Sequence, residues 1–175
     1  MQLQTMLAMG ALLILATLSI NQQRSIFLLQ KGAYVRELES AAADWAKVRL
    51  HQIAESEAFD EARTSMTVLD PGTSDLTLPA SLGRESGEVD VTDFDDIDDY
   101  DGFVEDFTHT LSNETYGLRA TYTVRYVDPL TADTTSLSQT LAKQIIAHVV
   151  SRDSIGHSTA QVTFKKTVTI SDYVN

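Results

Sequence analysis

Residues 1–25, MQLQTMLAMGALLILATLSINQQRS, carry no charged side chain before Arg24. A secretory signal peptide has a basic leading region, an apolar stretch of roughly 7–15 residues and a small-residue cleavage site. Here nothing basic precedes the apolar stretch, and the stretch is longer. At about 1.5 Å per residue, a helix over residues 1–23 covers roughly 35 Å, enough to cross the hydrocarbon core of a bilayer. These residues read as a membrane-capable arm that stays on the mature chain.

Residues 24–59, RSIFLLQKGAYVRELESAAADWAKVRLHQIAESEAF, continue without proline and with one glycine, Gly32. They are rich in Ala, Leu, Glu, Gln, Lys and Arg, all strong helix formers. Tyr34, Leu38, Ala41, Trp45 and Val48 follow steps of 4, 3, 4 and 3, which predicts one apolar stripe with Trp45 in the core. Arg36, Glu37, Glu39, Asp44, Lys47 and Arg49 lie off that stripe. No stop signal separates the two segments, so the pattern predicts a single helix from near Met1 to about Glu57, within a helical unit spanning 1–58. Such a helix is roughly 85 Å long. That exceeds what a head at 59–175 can cover, so its first half must be buried in lipid or in copies of itself.

Residues 60–103 read as loop, with DPG at 70–72, LPASLG at 78–83 and then an acidic run. Beyond them the period changes to two. FVEDFTHTL (103–111), YGLRATYTVRYVD (116–128) and AQVTFKKTVTISDYV (160–174) alternate β-branched or aromatic residues with polar ones. LAKQIIAHVVSRD (141–153) fits a helix through Leu141, Ile145 and Val149, but its β-branched content and neighbours favour a strand. The expected fold is α+β: a long N-terminal helix packed on an antiparallel sheet of about four strands.

The 25 acidic residues are unevenly spread, with 11 of them in the loop 85–106 and no Lys or Arg there. The rest of the chain balances 13 basic against 14 acidic side chains. No basic stripe exists to neutralise phosphates, so no nucleic-acid partner is expected. The absence of cysteine excludes disulfides and thiolate chemistry. His51, His109, His148 and His157 form no HExxH pattern, and no phosphate loop or GxSxG elbow occurs, so no enzyme is expected. Asn113-Glu114-Thr115 matches a glycosylation sequon, a pattern common by chance.

In the acidic loop, Asp95, Asp96, Asp98, Asp99 and Asp101 are spaced closely enough to offer calcium its oxygen ligands. They do not fit the EF-hand template, whose first ligand position would fall on Ile97. Phe94, Ile97, Tyr100 and Phe103 recur every three residues, so one side of the loop is expected to pack on the head. The aspartates between them also fit a solvated acidic turn that binds nothing.

The order of elements resembles the type IV filament superfamily, which includes type IV pilins and the pseudopilins of type II secretion. DFDDIDDYDGF (93–103) and the YVDP turn (126–129) look like the region after the long helix in many prepilin-like sequences. The resemblance implies a structural subunit that self-assembles into a helical, extracellular filament, with the inner membrane holding the unassembled precursor. A prepilin peptidase and the pilus assembly machinery are the implied partners. It further implies removal of a basic leader and N-methylation of Met1. The lost leader would also reconcile the positive-inside rule with Arg24, Lys31 and Arg36, which follow the arm.

Family members usually carry glutamate at position five, where this chain has Thr5, and many have a proline near position 22, where it has Gln22. The side-chain acceptors of Gln2, Gln4 and Thr5 are therefore expected to solvate the Met1 ammonium inside a filament, with Leu13 at the middle of the buried arm. Two alternatives stay open. One is a minor pilin or pseudopilin of a secretion or pilus machine, and the other is a monomeric, single-pass adhesion or receptor module.

Overall fold

The structure, a computed structural model, describes residues 2–60, 73–132, 134–153 and 159–170. Residues 2–56 contain no proline, and they form one uninterrupted helix, α1, Gln2–Ser56. At 55 residues it is about 80 Å long. The chain leaves α1 through a short parallel bridge to the acidic loop, in which Ala58 N donates to Asp95 O (3.1 Å) and Ile97 N to Ala58 O (3.0 Å).

Four strands follow: β1 Val104–Leu111, β2 Glu114–Tyr126, β3 Ala142–Ser151 and β4 Gln161–Thr169. They pair antiparallel in the order β1-β2-β3-β4, a meander in which each strand neighbours the next in sequence. The fold is α+β, with the back half of α1 on one face of this sheet. The ambiguous stretch 141–153 forms β3, and the alternating run 160–174 forms β4 up to Thr169, its last four positions lying outside the described residues. Ser112 (φ 49°) and Asn113 (φ 72°) close the β1–β2 hairpin. Two consecutive positive φ values are what a two-residue type I′ turn demands, and asparagine tolerates them well. The sequon at Asn113 therefore sits in an exposed turn.

Period-2 alternation directs Leu118, Ala120, Tyr122, Val124 and Tyr126 of β2 inward, with Ile145, Ala147 and Val149 of β3 beside them. The helix meets them with Leu38, Ala42, Ala46, Leu50 and Ile53. This corrects the expected stripe, of which only Leu38 is buried; Tyr34 and Val48 are exposed, and Ala41 and Trp45 lie at the margin. The observed steps are mostly four residues. Each such step advances the contact line about 40° around a 3.6-residue helix, so the line winds as it follows a twisted sheet. The line runs through two small residues, Ala42 and Ala46, between the larger Leu38, Leu50 and Ile53.

Trp45 stacks on Phe107 of β1, with ring centroids 3.7 Å apart and planes 10° from parallel. Beside them Arg49 Nε donates to Glu105 Oε2 (3.2 Å), which also accepts from Tyr122 Oη (3.0 Å). Phe107→Leu should keep the fold but lose the stacking, worth about 0.5–1.5 kcal/mol beyond area burial. The emission of Trp45, the chain's only tryptophan, should shift to longer wavelength. An unchanged spectrum would show that the stack does not form in solution.

The acidic loop packs as its three-residue apolar repeat predicts. Phe94, Ile97 and Tyr100 are buried, and Phe94, Tyr100, Phe103 and Tyr122 form an aromatic cluster with centroids 5.1–5.9 Å apart. The solvated-turn expectation fails at its centre, because Asp96, Asp98 and Asp99 are all 0% exposed. The rings that anchor the loop draw the intervening aspartates down with them.

Candidate functional site

Two regions depart from what a self-sufficient domain needs: the front half of α1 and the acidic loop. Along α1, every described residue from Gln2 to Gln30 is exposed except Gly10, which is partly covered. Leu3, Met6, Leu7, Leu12, Leu13, Leu15 and Ile20 are each more than 60% exposed. The segment is long and apolar enough to cross a membrane. Its apolar surface does not stop at Arg24, however. After the polar residues 21–25, Ile26, Phe27, Leu28 and Leu29 are also exposed, so a second apolar patch follows an arm whose run Leu3–Ile20 covers about 27 Å, against roughly 30 Å of hydrocarbon.

Two hydroxyls within this arm bond to the helix itself: Thr5 Oγ1 donates to Gln2 O (2.8 Å) and Thr17 Oγ1 to Ile14 O (2.9 Å). Such bonds lower the penalty of taking these side chains into an apolar setting. Gln2, Gln4 and Thr5 lie within one turn of each other, but Met1 is outside the described residues, and with it the expected contact to its nitrogen.

In the head, the charged cluster is built around Lys143. This residue belongs to the inward-facing row of β3, in phase with Ile145, Ala147 and Val149, and it is 0% exposed. Its Nζ lies 2.6 Å from Asp98 Oδ1 and 2.8 Å from Asp60 Oδ2, and donates to Phe59 O at 2.7 Å. The rings of Phe59 and Tyr126 flank it, 4.7 and 5.2 Å from the nitrogen. Asp60 also accepts from Thr77 N (3.0 Å) and lies 3.2 Å from Tyr126 Oη. One ammonium thus ties the exit of α1, the segment at Thr77, the acidic loop and the sheet.

The five aspartates read from the sequence do not act together. Asp96 and Asp98 join Asp60 in the Lys143 cluster. Asp99 turns the other way, toward Glu85 and Glu88. Asp101 Oδ1 accepts from Val124 N (2.8 Å), docking the loop on β2. Asp95 is exposed, and its backbone N–H donates to Asp99 Oδ2 (3.0 Å). The five therefore do not converge on one point: chain direction in a tight loop sends Asp99 to the side opposite Asp96 and Asp98.

Negative charge outweighs positive throughout the loop. Burial, with Asp98 beside it, pushes the Asp96 carboxyl up to about 8, against the pull of Lys143. Burial raises Asp98 to about 6 although Lys143 opposes it. Burial and the Glu88 contact raise Asp99 to about 6, and burial with Asp99 and Glu88 nearby raises Glu85 to about 8. For Glu88 burial works upward, but the neighbouring Asp99 carboxyl and the Glu85 backbone N–H, which donates to Glu88 Oε2, outweigh it and lower the value. Asp60, Lys143, Glu85, Glu88 and Tyr126 were not singled out by the sequence. Lys143 had a usable signal, since a lysine in phase with the apolar positions of a strand must find a buried counter-charge. Asp60 had none.

The described histidines stand apart: His51 on α1 beside Glu55, His109 on β1, and His148 on β3 against Thr163. Compared with known proteins, the chain matches no family model, no curated protein and no solved structure.

Proposed function

We propose that this chain is a structural subunit of a type IV pilus-like filament, in which the apolar arms bundle inside and the sheet heads face outward. The observation that carries the reading is that exposed apolar surface resumes at Ile26, Phe27, Leu28 and Leu29, beyond an arm of bilayer length and the polar break at residues 21–25. Lipid that covers the arm up to Ile20 leaves the second patch uncovered, whereas staggered copies of the same helix can cover both. The continuity of α1 supports the reading further. Its back half is fixed to the sheet at five buried positions, so the arm extends directly from the helix that anchors the head. Before assembly the arm resides in the inner membrane, where a prepilin peptidase and the assembly machinery act on it. The subunit has no catalytic role in this reading; its activity is self-association.

The test is electron microscopy of filaments sheared from the surface of cells producing the chain, with mass spectrometry of the main filament band. This chain should be the main component. Recovery only as a monomer in the membrane fraction, with no filaments containing it, would overturn the proposal in favour of a single-pass surface module. A trace presence in filaments made of another protein would identify a minor subunit instead.

A further inference from the structure

The acidic loop holds a second carboxylate group that Lys143 does not reach. One carboxylate oxygen from each of Glu85, Glu88 and Asp99 lies within 4.8 Å of the other two. Asp99 is 0% exposed; its Oδ2 accepts from the backbone N–H groups of Asp95 and Asp96, while its buried Oδ1 has no hydrogen-bond partner. Glu85 Oε2 is likewise buried without a partner. Among the described residues, no lysine or arginine forms an ion pair with any of the three. Buried carboxylate oxygens are expensive unless paired, hydrogen-bonded or bound to a metal.

We propose that Glu85, Glu88 and Asp99 form a calcium site that locks the acidic loop onto the head. The donor set is all oxygen, which selects a hard cation over zinc or copper. Calcium–oxygen bonds of roughly 2.3–2.6 Å let two ligands of one ion stand up to about 5 Å apart, which accommodates the observed spacing. Glu85 and Glu88 are only partly buried, so water can complete the six to eight ligands that calcium takes, whereas magnesium demands a stricter octahedron. The neighbouring trio Asp60, Asp96 and Asp98 does not compete, because the Lys143 ammonium already occupies it. The loop's two carboxylate clusters thus take different cations, one built into the chain and one drawn from solution. The site is independent of whether the chain assembles.

The experiment uses the full chain in detergent micelles, stripped with a chelator and melted at increasing calcium. The melting temperature should rise with calcium and keep rising logarithmically above the dissociation constant. Titration calorimetry should give one ion per chain. Glu88→Gln and Glu85→Gln should each fold without added ion and lose the response. The proposal is overturned if millimolar calcium moves neither melting nor heat, if magnesium has the same effect, or if the response survives in both variants. Should a variant fail to fold, the calorimetric stoichiometry of the unsubstituted chain decides alone, one ion supporting the site and none overturning it.

Discussion

Lys143→Met is expected to destabilise the folded head by about 3–5 kcal/mol, the usual cost of removing one partner from a buried ion pair. Methionine keeps most of the lysine stem, so the loss isolates the charge rather than the packing. What remains is Asp60 and Asp98, both fully buried, facing a vacant position between the rings of Phe59 and Tyr126. The effect should be larger than that of an isolated pair because Nζ also donates to Phe59 O, and because Asp96 stands next to Asp98 with an unpartnered Oδ2. For a chain of this size, that destabilisation lowers the melting temperature by roughly 6–20 °C. Neutralising the two partners should reverse much of it: the triple variant Lys143→Met, Asp60→Asn, Asp98→Asn is expected to melt above Lys143→Met alone. Circular dichroism melts of the three proteins provide the check. A single variant within about 1 kcal/mol of the parent would mean that water reaches the cluster and that Lys143 is not its only counter-charge.

The α+β architecture was legible because its signals are periodic and long. An unbroken run of helix formers gives α1, and β-branched alternation gives the four strands; both patterns repeat often enough to outweigh local exceptions. The helix face differs from the expected stripe for a physical reason: the buried line Leu38, Ala42, Ala46, Leu50 and Ile53 advances mostly by four residues along a twisted sheet, and alanine is a weak marker in a helix that contains it throughout. The acidic loop was half legible. Phe94, Ile97 and Tyr100 announced a packed side, but which aspartates were buried depended on two partners distant in sequence. Lys143 lies 45 positions from Asp98, and Asp60 lies just past the helical unit. Neither the pairing of Asp98 with Lys143 nor the separation of Asp99 from it can be read from spacing, because both follow from the direction in which the short helical turn Asp98–Tyr100 presents its carboxylates.

On the proposed filament reading, Leu13→Asp is expected to abolish filaments while leaving the head intact. Leu13 sits near the middle of the uncharged arm and is 68% exposed in the isolated subunit. In lipid, an aspartate at the centre of a membrane helix costs about 2.5–3.5 kcal/mol on insertion scales. In the proposed filament the same position would face neighbouring arms, whose described residues from Gln2 to Gln23 offer no positive side chain to pair with it. The penalty recurs at every subunit of a repeating assembly, so a cost tolerable once becomes prohibitive along a filament. The head should not register the change, since the arm from Gln2 to Gln30 is exposed and makes no part of the hydrophobic core. Melts of Leu13→Asp in detergent should therefore overlay the parent, which separates failed assembly from failed folding. Leu13→Ala, which removes bulk without adding charge, should retain filaments in reduced number. Parent-like filaments from Leu13→Asp would mean that position 13 faces water in the assembly, and a bundle of buried arms could not then be its architecture.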